Sequence, residues 1–409
     1  MTILYKQPFA FIRASRYANP GTPGDILGEV YGDFSTGGIA GAVPAVQIDT
    51  VARVYAAAAH AVGSITKVYV GEVESTIGVD CTVNVSTDYA GTGLTIAIID
   101  FVTQPTQAVT WRGTGKQSGG STITNGITQL ENILTTRASA VASDFNAAML
   151  EEARSAVALQ GYQTSWVFRD ARNVETWINE VMFNLLGAWY VRGNSELALS
   201  IQTSTGPRGD QILAHIVASR DVVDGDFGVE MSGDIEHVVN ALDIDYLWNW
   251  ALDSRSSVIT TEADDISRNA HGEIRKLATL RGHRRTVDLT AWAAILFQYQ
   301  SMRTRVEGAV VRFTVEGPKL AHATIGDFVA VSWRYGPTRE ENNAYTNEIC
   351  RVVAVRHEIT AGGVNTSIEA IDTGTFRAID VYFDPDVIGG GDFDAENFFG
   401  GGRDLTVHA

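Results

Sequence analysis

Apolar residues recur every three or four positions between Asn173 and Leu186, where Val174, Trp177, Ile178, Val181, Leu185 and Leu186 form one stripe. That spacing predicts a helix over 173–186, capped by Asn173 and stopped by Gly187. After Gly187 the period changes to two. Trp189 and Val191 alternate with Tyr190 and Arg192, a Gly193-Asn194 turn follows, and Leu197, Leu199 and Ile201 resume on one face, as in a hairpin. No nucleophile or metal-ligand set sits inside this stretch, so it reads as a building block around which the flanking segments pack.

Upstream, residues 1 to about 125 read mostly as strand. Val43–Ile48, Ala52–Ala59, Ile65–Val70 and Leu94–Val102 are rich in β-branched residues and bounded by Gly, Asp, Asn or Pro. Residues 113–126 read as a flexible Gly/Ser/Thr loop. Ile127–Thr135 and Asp144–Leu159 have helical spacing, the second with Ser143 as a cap, and Thr164–Phe168 reads as strand. Residues 203 to about 235 are polar and read as a solvated acidic loop. Leu242, Ile244, Tyr246, Trp248 and Trp250 alternate as one long strand with an aromatic side, with Val258–Thr261 as its partner. Glu262 to Arg275 reads as helical. Leu289–Thr304 reads as a further helix, with Arg303 and Arg305 near its carboxyl end. Val306–Val315, Asp327–Arg334, Glu348–Glu358 and Asn365–Ile371 then read as strands of a small antiparallel barrel or sandwich.

These elements imply an α+β, mainly β fold. The expected domains are 1–125, strand-rich; 126–235, an inserted α/β unit with helices 144–159 and 173–186; 236–380, strand-rich with helix 289–304; and 381–409, a Gly/Asp-rich tail. The tail carries Phe393, Phe398 and Phe399, cannot build a core, and could dock on a neighbour through those rings.

Composition adds exclusions. The chain has 409 residues, 45% hydrophobic and 19% charged, with a net charge of -17. Stable nucleic-acid binding needs clustered Lys and Arg, which this balance opposes. The one basic cluster, Arg281-Gly-His-Arg-Arg285, reads either as a solvated loop or as a patch meeting an acidic neighbour. Cys81 and Cys350 are too few for a zinc or iron–sulfur site; two buried thiols are favoured over one disulfide. No secretion signal and no membrane span are expected.

Candidate chemistry is sparse. Gly115-Lys116 suggests a phosphate loop, but Thr110 stands where the first glycine belongs and Gln117 replaces the magnesium-binding hydroxyl. Asp224-Gly225-Asp226 with Glu230 has calcium-ligand types at the wrong spacing. The eight histidines, at 60, 215, 237, 271, 283, 322, 357 and 408, form no zinc pair. The acidic pairs Asp243/Asp245 and Asp264/Asp265 read as coincidental in so acidic a chain. No catalytic, cofactor-binding or metal residue is assigned, and the chain is not expected to be an enzyme.

The run Gly28-Glu-Val-Tyr-Gly-Asp33, with Val43–Thr50 and Ile65–Val70, resembles the opening of baseplate hub or tail-tip proteins of long-tailed bacteriophages. Asp243–Trp250, Asp265–Gly272 and Leu280–Thr286 resemble the second half of such a hub, and Ile325–Trp333 with Arg351–Val355 its closing barrel. The resemblance spans about residues 25 to 375. It implies a homotrimer in which each chain gives two β-barrels to a pseudo-six-fold ring, with the helix and hairpin as an insertion. It further implies a virion location, at a tail tip that adapts the six-fold tail tube to three-fold components around the DNA exit channel. Partners would be the distal tail protein or tube and fibre or tip proteins, and the negative charge would keep passing DNA from adhering. Some such hubs hold an iron–sulfur cluster, a feature that two cysteines do not support here. The alternative is a carbohydrate-binding or carbohydrate-cleaving tail protein, with Trp248, Trp250, Trp333 and Tyr335 as stacking candidates.

Overall fold

The computed structural model describes residues 7–191, 195–203, 212–223, 225–231, 239–254, 259–265, 268–269, 272–305, 309–323, 327–333, 345–360 and 363–376. The tail 381–409, the Gly193-Asn194 turn, Asp224, Tyr335, His237, His271 and His408 lie outside the described residues.

The first unit is two four-stranded sheets. One orders Val43–Pro44, Val109–Thr114, Ser64–Val70 and Val73–Ser75; the other orders Val46–Asp49, Val54–Ala58, Thr95–Phe101 and Cys81–Asp88. All pairings in both are antiparallel. The sheets share one core, and the Trp111 indole N–H donates to the Ala57 carbonyl at 2.9 Å to tie them. The alanine run at 56–59 is strand through Ala58 despite its helical propensity, because both faces are covered. Tyr55 and Ala57 face the central core, whereas Val54 and Ala56 face a second cluster with Ile12, Tyr17, Leu27 and Ile96. Small side chains let both layers approach closely.

Residues 113–126 are not a flexible loop. Gln117–Ser118 pairs with Ser121–Thr122 in a tight hairpin, and Gly115 and Lys116 donate to the Gly32 and Val30 carbonyls. Gly115 packs so closely that a Cβ would lie 2.5 Å from the Val30 oxygen, which explains the glycine better than mobility does.

A helical layer follows. Helix α1 (Gly126–Arg137) is capped by Asn125, whose side chain accepts from the Ile127 and Thr128 amides. Helix α2 (Ala147–Leu159) is capped by Asn146, not Ser143, which lies in a preceding 3-10 turn. Helix α3 (Val174–Asn184) has the expected Asn173 cap, accepting from Thr176 N. Its stop differs from expectation: Leu186 takes the left-handed conformation (φ 53), and Gly187 opens the next strand. Gly187 is needed for space, since a Cβ there would meet Met182 Cε at 2.5 Å. The hairpin pairs Gly187–Val191 with Leu197–Ile201, register Trp189 to Leu199. Tyr190 is its buried ring, and Val191 faces outward.

The second unit contains a six-stranded sheet ordered Ile212–Val217, Phe328–Trp333, Tyr345–Thr360, Gly363–Phe376, Ala309–Glu316 and Gly228–Met231. Two expectations change here. The stretch 203–235, read as solvated loop, supplies both edge strands. The sheet is also not wholly antiparallel, because Ile212–Val217 runs parallel to Phe328–Trp333. Its own core gathers Ile216, Val311, Phe313, Val329, Val331, Cys350 and Ile368. Cys81 and Cys350 are both buried free thiols.

Ala241–Asp245 lies at the centre of a three-stranded sheet, antiparallel to Ile259–Ala263 and parallel to Arg275–Thr279, and joins the first core through Leu242 and Ile244. The expected long strand to Trp250 stops at Asp245, and Leu247 takes φ 56, which turns the chain. Glu262 and Arg275, read as the ends of a helix, lie in strands. Helix α4 (Thr286–Arg305) contains the predicted 289–304 helix. The whole is α+β and mainly β.

Candidate functional site

The segment Arg281–Asp288, between the Arg275–Thr279 strand and the first turn of α4, gathers Thr36, Gly161, Glu180, Asn184 and Asp253 from widely separated parts of the chain. The sequence suggested a solvated basic loop or an intersubunit patch; the structure buries it. Arg281 and Arg284 are each 7% exposed and His283 0%. Arg281 is held by two carboxylates, Nη1 to Glu180 Oε1 at 2.8 Å and Nη2 to Asp253 Oδ1 at 2.6 Å. Its guanidinium also lies 4.5 Å from the Trp248 ring centroid and 4.8 Å from that of Trp250. Breaking the strand at Leu247 is what brings both indoles onto one cation. Glu180 is shared with Arg172, whose Nη1 donates to Oε2 at 2.8 Å.

Gly282 follows, pressed on Trp166. A Cβ there would sit 2.5 Å from Trp166 Cζ2, so only glycine fits. Its amide donates to Asn184 Oδ1 at 3.0 Å, and its carbonyl accepts from the Ser165 amide at 2.7 Å. Asn184, the last residue of α3, is fully buried and returns Nδ2 to the Glu180 carbonyl at 2.8 Å. Beneath this lies an aromatic nest in which Trp166 stacks on Phe168 and meets Trp177 and Trp250 edge-on.

His283 Nε2 donates to the Asn184 carbonyl at 2.7 Å, which fixes that nitrogen as the protonated one, and Nδ1 faces Asp288 at 3.9 Å. Arg285 forms an ion pair with Asp288 and donates to the Gly161 carbonyl at 2.6 Å. Burial opposes ionisation of Asp288, but the neighbouring His283 and Arg285 outweigh it and lower its pKa. Burial, with Asp288 nearby, raises that of Tyr162, whose ring meets His283 edge-on. A His–Asp pair commonly signals base catalysis. Here Nε2 donates to a main-chain carbonyl in the interior, and the pair joins α3 to α4.

A second polar cluster sits under the first unit. Glu29, fully buried, forms an ion pair with Arg137 of α1, and His60 Nε2 lies 3.6 Å from its other oxygen. The Val30 amide donates to His60 Nε2 at 3.0 Å and His60 Nδ1 donates to the Ala61 carbonyl at 2.7 Å, so the ring is neutral with both nitrogens engaged. Burial lowers the His60 pKa against the pull of Glu29. Lys116, the lysine of the discounted phosphate loop, lies 5.6 Å from the Tyr31 ring centroid. Burial lowers its pKa too.

The remaining sequence candidates are dispersed. Asp243 binds Arg275 at 2.6 Å and Thr261 at 2.9 Å, while Asp245 is buried. Asp265 pairs with Arg268 at 3.5 Å. Trp333 packs on Phe227, with centroids 4.6 Å apart, so it does not join Trp248 and Trp250 on one stacking surface. Among the described residues no group of three or more His, Cys, Asp or Glu is placed to hold a metal. Among them, too, no helix is long and apolar enough to cross a membrane. Sequence reasoning missed the roles of Asn184, Ser165 and Glu29, since a polar residue inside an apolar stripe was the only signal they left.

No family model matches the chain, and no curated protein sequence matches it. Among solved structures, the tail protein from Neisseria meningitidis MC58 is similar over 90% of this chain and 98% of that one, at 11% identity and a TM-score of 0.36. The 43 kDa tail protein of prophage MuSo2 from Shewanella oneidensis is similar over 74% of this chain and 80% of that one, at 10% identity and a TM-score of 0.34.

Proposed function

We propose that this chain is a structural subunit of a bacteriophage tail, and within it a hub at the tail tip that assembles as a homotrimer and acts by binding neighbours rather than by making or breaking bonds. The observation that carries the reading is the pair of strand-rich units, each with its own apolar core, with helix α4 lying against the Gly363–Phe376 strand of the second. The sequence resemblance implies two β units per chain with a helix-and-hairpin insertion between them, and the separate cores support that reading. Three such chains would give six β units around a channel and match a six-fold tube to three-fold tip components. The buried polar contacts of the Arg281–Asp288 segment would give each subunit the rigidity an adaptor needs.

One end of the first unit suits a protein neighbour. Val51, Val79 and Val102 project from adjacent turns at 75%, 69% and 63% exposure. Those turns are tied together, Phe101 N to the Arg53 carbonyl and Val102 N to the Asp80 carbonyl. Clustered exposed apolar side chains of this kind favour burial against a partner.

An antibody to this chain, applied to purified virions and viewed by negative stain, tests the reading. Label at the distal end of the tail is the expected result. Label elsewhere on the tail overturns the hub assignment alone, and virions without label overturn the tail assignment as well. Sedimentation of the purified chain supplies the stoichiometry, with a trimer expected.

A further inference from the structure

Arg284 is buried, and no described residue supplies it with a counter-ion. Its Nη2 donates to the Thr36 carbonyl at 2.6 Å and its guanidinium lies 4.8 Å from the Phe34 ring centroid. Nε and Nη1 are buried and have no acceptor among the described residues, and no carboxylate there lies within ion-pair distance. Asp33 acts on it only at range, because its exposed carboxylate is engaged with the Ser35 amide at 2.7 Å. A second cation adds to the problem: Arg112 donates to the Phe34 and Ser35 carbonyls and repels Arg284. Burial, followed by that repulsion, lowers the Arg284 pKa to about 10. An unpaired interior guanidinium is among the costlier arrangements a fold can hold.

The surroundings are shaped around this group. A Cβ on Gly37 would come 2.9 Å from Nη2, and one on Gly41 would run into the same nitrogen. Gly37 and Gly38 also adopt φ 94 and 63, conformations open to glycine. The cover over the cation is a single layer of backbone, since Ser35, Thr36, Gly37 and Gly38 are all exposed. A guanidinium offers two forks, Nε with Nη2 and Nη1 with Nη2. Thr36 takes one Nη2 proton, so one complete fork stays open whichever proton that is.

We propose that Arg284, assisted by Arg112 and enclosed by the Asp33–Ala42 loop, is a binding site for a carboxylate. A carboxylate's two oxygens match the open fork, and its charge offsets both arginines. The carboxylate comes either from a small organic acid or from an acidic side chain of a second copy, which at a net charge of -17 has many to offer. The site stands independently of the tail reading.

The test is thermal unfolding of the full chain in sodium acetate against sodium chloride at equal ionic strength, with sedimentation velocity over a range of protein concentration. A saturable rise in Tm specific to acetate, absent in Arg284→Met and weakened about tenfold in Arg112→Gln, supports a free carboxylate as the ligand. Self-association that Arg284→Met abolishes, without an acetate response, supports the carboxylate of a second copy. Identical behaviour in the two salts, with self-association absent or unchanged by Arg284→Met, overturns the site. Should Arg284→Met fail to fold, Arg112→Gln decides in the same way, an undiminished acetate response or unchanged association counting against the proposal. A destabilised Asp33→Asn with no acetate response also overturns it, by identifying Asp33 as the solution partner of Arg284.

Discussion

At Gly282 a single hydrogen atom decides the packing of the molecular centre. Trp166 occupies the space a Cβ would take, so Gly282→Ala forces the indole or the backbone aside. The expected loss is about 2 kcal/mol, the usual size of core overpacking, measured by urea unfolding; an unchanged midpoint would contradict the contact. His60 shows the same economy in its protonation. Its folded pKa is lowered by burial, so the unfolded chain takes up the proton first. The stability it contributes is complete above its unfolded pKa of about 6.5. That contribution falls as pH drops below this value toward the folded pKa. Protonation would also remove the acceptor used by the Val30 amide. Unfolding free energy should therefore fall more steeply between pH 7 and pH 5 in the wild type than in His60→Gln, and parallel profiles would remove His60 as the cause. The two thiols make a simpler case. Both are buried, and burial raises the pKa of Cys81, so a thiol reagent should modify them only on the timescale of unfolding.

At the scale of elements, the polar ends of helices do most of the joining. Asn184 closes α3 and simultaneously accepts from the Gly282 amide. Asn184→Ala leaves that buried amide unsatisfied, with an expected cost of about 2 kcal/mol. Asn173→Ala removes only a terminal cap and should cost about 1 kcal/mol. Comparing the two by thermal unfolding separates tertiary linkage from helix capping, and equal losses would refute the distinction. Helices α1 and α3 and the Asn173 cap follow from local chemistry, as does most of α4. The strands at 212–217 and 228–231 did not stand out, because acids flank them and their stabilising partners lie about a hundred residues downstream. The alternation from Leu242 to Trp250 misled in the opposite direction. Its period is that of a strand, yet Leu247 turns out of the sheet so that Trp248 and Trp250 can enclose Arg281.

For the whole molecule, two separate cores imply two separable stabilities. Phe313→Ala, in the second sheet, should cost its unit about 3–5 kcal/mol and lower one calorimetric transition while leaving the other in place. A single transition that moves as a whole would mean that helix α4, which lies against the Gly363–Phe376 strand, couples the units into one cooperative body. Within the first unit, charge ties the parts that meet at the Arg281–Asp288 segment. Arg281 and Arg285 have carboxylate partners drawn from other parts of the chain or from α4 itself, whereas Arg284 has none among the described residues.

The sequence by itself determined the mainly β class, the helical faces, the Asn173 cap and the two strands of the Gly187–Ile201 hairpin, because each depends on neighbours within a few residues. Tertiary structure alone decided the fate of the basic cluster, since whether an arginine is solvated or interior depends on where Glu180, Asp253 and two indoles arrive in space. It likewise decided that Gly115, Gly187 and Gly282 serve close approach rather than flexibility. Local chemistry specifies what a residue can do, and only the assembled chain supplies the partner across which it does it.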